Sequence, residues 1–190
     1  MSLDAVKAAI VAQLTDDYRQ TKKVRMVESH RGRFDSVAEI KRHGTASPAL
    51  LVCTDGVRNC QERFGRHGGI WGDASFFVYI VTRDLPGVTR DTQAEALAGQ
   101  LAHTVIDNTW NDKAQSVKSI DARNLTTTEV DKLGVALWAV GWQQPVLIEP
   151  VDADSGLDTF ATLSATWDSA PGDGEPTMEA TIELEQETRP

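Results

Sequence analysis

Cysteine is nearly absent: Cys53 and Cys60 are the only two in 190 residues. Neither stands in a metal-ligand spacing, so neither a zinc ribbon nor a disulfide scaffold can organise this fold. Cys53 lies in the apolar run "PALLVC" and reads as a buried thiol acting as a small hydrophobe. Long apolar runs are missing as well, and none approaches the roughly 18–20 residues that a membrane-spanning helix needs. The N-terminus, "MSLDAVKAAIVAQLTDDY", has no basic segment followed by a cleavage site, so the chain reads as made and folded in the cytoplasm.

Signatures of chemistry are equally sparse. There is no G-x-S-x-G, P-loop, dinucleotide fingerprint or H-E-x-x-H. The four histidines, His30, His43, His67 and His103, show no spacing that suits a metal. No catalytic residue and no cofactor are expected. "RFGRHGG", residues 63–69, offers glycines and arginines to an anion, but its spacing fits no phosphate loop, and a strand pattern follows where a helix would be needed.

Acidic charge is abundant but confined. The net charge is −9, and residues 151–190 carry ten acids against one base, Arg189, so the first 150 residues balance. Such an acidic end repels nucleic acid and anionic membranes, and neither is expected as a partner. The basic stretch Arg19–Arg33 lacks interleaved aromatics for base stacking and reads as a solvated edge, or as a partner for the acidic end of another subunit.

The walk along the chain gives an α+β domain over 1–150 with an antiparallel or mixed sheet. Leu3, Val6, Ile10 and Leu14 mark an amphipathic helix capped by Ser2. "KKVRMVESHR" reads as a strand with Val24, Met26 and Glu28 on one face. Residues 47–56 read as a second strand, closed by a turn at Asp55-Gly56. The Gly-rich segment 57–73 is expected as a mobile loop or hairpin tip presenting Arg63, Arg66 and Trp71 to a protein partner. "ASFFVYIVTR" is a buried strand, and Thr92 with Glu95 suggests a capping box for the helix carrying Leu97, Leu101 and Val105. A strand near 117–122 precedes the tryptophan strand "ALWAVGWQQPVLI", residues 136–148.

That last strand poses the main question. Trp138, Val140 and Trp142 share one face, Leu137 and Ala139 the other, so both faces need a cover. The two helices can cover one. The tryptophans either form the core beneath them or a subunit interface, and the reading taken here places Trp138 and Trp142 against a neighbouring subunit. Residues 151–190 form an extension with a linker at 168–177 and a terminal strand at 178–186. Met178, Ile182 and Leu184 alternate there with glutamates, ready for a sheet edge of a neighbour or for a local hairpin with "DTFATLSATWD".

The order of "FFVYIVTR", the helix "DTQAEALAGQLAHTVID" and the late strand "GVALWAVGWQQPVLI" ending in W-Q-Q resembles Mu-type phage tail proteins akin to tail terminators, over roughly residues 1–150. The resemblance implies a structural, non-catalytic subunit. It would form a hexameric ring that caps the tail tube, stops its polymerisation and meets the head-tail connector, with the sheath as a further partner in a contractile tail. The implied location is the virion tail, assembled in host cytoplasm. The other reading is a small cytoplasmic ligand-binding domain or enzyme with a pocket under the Gly-rich loop 63–72.

Overall fold

Ser2 begins the first helix: its hydroxyl accepts from the Ala5 N–H at 3.3 Å. The computed structural model describes residues 2–62, 70–112, 114–148, 162–167 and 178–183. Helix α1 (Leu3–Leu14) buries Val6, Ala9, Ile10 and Leu14, then loosens into a π-helical turn at Thr15–Arg19. That turn carries Tyr18 into the core, where its hydroxyl lies 2.8 Å from Thr104 Oγ1.

The following elements are β1 (Met26–Ser29), α2 (Val37–Thr45), β2 (Ala49–Glu62), β3 (Ile70–Arg83), α3 (Arg90–Ile106), β4 (Ser119–Asn124), α4 (Thr128–Asp131) and β5 (Val135–Ile148). The strands form one sheet in the order β1-β2-β3-β5-β4. Only β1 and β2 run parallel; the other neighbours are antiparallel. The fold is therefore α+β with a mixed sheet.

Several local expectations need correction. Asp55-Gly56 is not a turn: the register shifts between Thr54 and Gly56, a bulge, and β2 continues to pair with β3 as far as Glu62 and Ile70. Residues 57–62 and 70–73 are thus strand, and the rest of the expected loop, residues 63–69, lies outside the described residues. The cap of α3 is Thr89, whose hydroxyl accepts from the Thr92 N–H at 3.3 Å, not Thr92 itself. Val24 and Met26 do not share a face. Val24 precedes the strand and joins the cluster beneath α1, whereas Met26 packs on the opposite side.

Alternation along the long strands separates two apolar layers. Ala74, Phe76, Val78 and Ile80 of β3 join Val140, Trp142 and Val146 of β5 beneath α1 and α3. On the other face Ala49, Leu51, Val81, Val135 and Leu137 pack against Ile40 of α2 and Val130 of α4. The expectation of two main helices on one face holds for α1 and α3, but a further helix, α2, supplies a second cover from the same chain. Gly44 lets it approach: a Cβ built there would lie 2.7 Å from Val135 Cγ1.

Residues 151–190 form a second compact unit. Its described strands, β6 (Thr162–Trp167) and β7 (Met178–Glu183), pair antiparallel with Trp167 opposite Met178 and Leu163 opposite Ile182. The terminal strand thus has a partner in its own chain, the local-hairpin alternative. Leu184 and the linker 168–177 lie outside the described residues.

Candidate functional site

Trp142 is 3% exposed and belongs to the chain's own core, which corrects its placement at a subunit interface. Its ring lies 5.8 Å from Phe76 on one side and 5.8 Å from Trp110 on the other. Trp110 reaches this position from the segment after α3, where Trp110, Asn111 and Asp112 all take left-handed backbone angles. Between the indoles sits the fully buried Gln144. Its Oε1 accepts from Trp110 Nε1 at 2.7 Å and from Trp142 Nε1 at 3.2 Å. Its Nε2 donates to the carbonyls of Asn108 (2.7 Å) and Gln115 (2.5 Å), so each hydrogen-bonding position of the amide is used. Trp138 lies half-buried against the same cluster, and its buried Nε1 has no hydrogen-bond partner among the described residues.

Trp71 is half-buried at the far end of β3, opposite Leu147 of β5 and Gln61 of β2. Arg63 and Arg66 lie outside the described residues, as does most of the segment over the alternative pocket at 63–72.

Element lengths show where a surface remains. A strand of 14 residues extends about 46 Å, whereas the nine residues of α2 span only about 14 Å. The second face of the sheet is therefore covered over one part of its length, and the described residues of the five-stranded unit itself leave the rest open. A shallow groove of about 410 Å³ lies there, lined by Phe77, Tyr79, Ala139 and Gly141. Asp55, Asp121 and Arg123 add charge to its lining. The loop after β1 borders it, with the Tyr79 hydroxyl donating to the Gly32 carbonyl at 3.0 Å.

A second groove of about 400 Å³ includes Asn59, Trp71, Asp73, Lys118 and Pro145. Lys118 Nζ at 2.7 Å, helped by Asn59 Nδ2 at 3.0 Å, holds the Asp73 carboxyl below the usual carboxylate range. The outer edge strand β4 is exposed at all positions but Ile120 and carries Asp121 and Arg123.

The fold also assembles a group that sequence spacing hid. His30, Glu39 and His43 each place one ligating atom within 4.8 Å of the other two. Glu39 and His43 are one turn apart on α2, so the arrangement became legible only once that helix was known. Burial pushes the His43 imidazole below its ordinary value despite the nearby Glu28. The Asp35 N–H, with Arg31, pulls Glu39 down as well. Cys53, buried beside His30, has its thiol pushed up to about 12 by burial, which disfavours the reactive thiolate.

The described residues thus offer an open sheet face, a charged edge and a buried His–Glu–His cluster. A search among curated proteins returns no match. The family model for bacteriophage Mu, Gp37 matches residues 2–147, the stretch that folds as the five-stranded unit. The chain belongs to the bacteriophage Mu Gp37 family and is a structural protein of a Mu-type phage.

Proposed function

We propose that the chain is a tail terminator, a subunit that closes into a ring on the end of the tail tube and stops its polymerisation. The observation that carries this reading is the sheet that outruns its own covers. An open, mixed-polarity face on one side of a rigid sheet, with a charged edge strand beside it, suits a heterologous contact in which one surface meets a different surface of the next copy. Repeated around an axis, such a contact closes a ring. The hexamer is the count that the tail-terminator resemblance implies. The tube protein, the head-tail connector and, in a contractile tail, the sheath are the partners this reading assigns. A non-catalytic role follows from it, and the tail of the virion is the site of action.

The open groove gives the test. Ala139→Arg and Gln143→Arg place long cations where the described residues leave space. Each variant should keep its circular dichroism spectrum and lose no more than about 0.5 kcal/mol of stability, as surface changes usually do. Each should fail to form the closed species and fail to complete tails in a phage lacking the wild-type gene. Normal tail completion by both variants would remove this face from the account.

A further inference from the structure

Outside the open face, the least explained feature is the cluster under α2. His30 and His43 are 9% and 5% exposed, and their rings meet edge-on at 5.6 Å. The Nε2 atoms of both are buried without a hydrogen-bond partner among the described residues. Folded interiors rarely leave such nitrogens unpaired, and two in one place ask for an explanation. Glu39 Oε1 lies 3.6 Å from His30 Nε2, outside hydrogen-bonding range, so the carboxylate does not satisfy it.

We propose that His30, Glu39 and His43 bind a divalent transition-metal ion of the zinc class, which staples α2 to the segment that follows β1. Two imidazoles and a carboxylate form a donor set suited to zinc and its neighbours, whereas magnesium and calcium prefer all-oxygen sites. A water completes the coordination, reached from the side where the Glu39 side chain remains 15% exposed.

The surroundings already orient the ligands as an outer shell does. His43 Nδ1 lies 3.2 Å from Glu28 Oε1; donation of that N–H leaves the lone pair on Nε2. Glu39 Oε2 accepts from the Asp35 N–H at 2.8 Å and from Arg31 at 3.2 Å. Arg31 also reaches Oε1, at 3.4 Å, but is itself ion-paired to Asp35. Together Glu39 and Glu28 balance the dication.

His30 must adjust. Its Nδ1 now accepts from the Gly32 N–H at 3.2 Å, which puts the ring proton on Nε2. Ligation through Nε2 moves the proton to Nδ1, where Cys53 Sγ at 3.7 Å becomes the acceptor and the Gly32 N–H gives up its bond to the ring and turns away. Metal bonds of about 2.1 Å require ligand atoms no more than about 4.2 Å apart, so loading also draws the present 4.8 Å limit inward.

The test uses the full chain stripped with a chelator and titrated with Co²⁺, then with Zn²⁺. One equivalent of Co²⁺ should give the visible absorption of a low-coordinate nitrogen-containing site, and Zn²⁺ should displace it and raise the melting temperature. His30→Gln with His43→Gln should abolish the absorption, while His103→Gln leaves it unchanged. X-ray absorption of the zinc-loaded wild-type chain reads the ligands directly and does not depend on the variants folding. Two imidazoles in that spectrum support the site. No stoichiometric binding by the wild-type chain, an all-oxygen shell, or a signal that survives the double substitution overturns it.

Discussion

Gln144 shows how a single polar residue can organise an aromatic core. Replacing it with Leu preserves volume approximately but orphans two indole N–H groups and two carbonyls. Each unsatisfied buried group costs roughly 1–3 kcal/mol, so Gln144→Leu should lower stability by about 3 kcal/mol or more in chemical denaturation. A loss below about 1 kcal/mol would mean the network carries little. Asp73 makes a pH-dependent contribution. Its folded carboxyl lies below its unfolded value, so the stabilisation is present above the unfolded value and disappears as pH falls through the folded one. Lys118→Met should raise the Asp73 titration midpoint, read by NMR, and flatten the acid limb of the stability curve. Sequence alternation correctly grouped Trp138, Val140 and Trp142. It could not show that Trp110, far away in the chain and held by a left-handed turn, would come to cover them.

Among the elements, α2 accounts for most of the difference between expectation and structure. Among the described side chains of its nine residues, "VAEIKRHGT", Ile40 alone joins the apolar core, and the sequence shows no long apolar stripe. The legible signal was its start, Ser36 followed by Glu39, the same capping pattern that drew attention to Thr92 and Glu95. β2 was cut short because Asp-Gly signals a turn, yet a bulge uses the same residues without reversing the chain. By contrast, α1 and α3 were legible from their buried stripes, which face the same sheet layer. Gly44 tests the role of α2. Alanine favours a helix by about 1 kcal/mol, but its methyl would meet Val135 in a packed core where overpacking costs about 1–3 kcal/mol. Gly44→Ala should therefore destabilise the chain or loosen α2, seen as faster amide exchange over Val37–Thr45. A clear rise in melting temperature would show that α2 has room to spare.

At the scale of the molecule, the tryptophan strand has its first cover from α3 and Trp110, with α1 lying over β1 and β2, and part of its second from α2 and α4. What remains open is the length of sheet those short helices do not reach. Sequence reasoning sensed an uncovered face but assigned it to the tryptophans. Their side chains turn inward, and the opposite face carries the open groove. Family membership covers this five-stranded unit, while the acidic residues 151–190 lie beyond the matched stretch. On the function proposed above, another copy of the chain closes the open face. Light scattering across a concentration series should then show a closed species near six times 20.8 kDa that persists on dilution. A monomer at every concentration would contradict it.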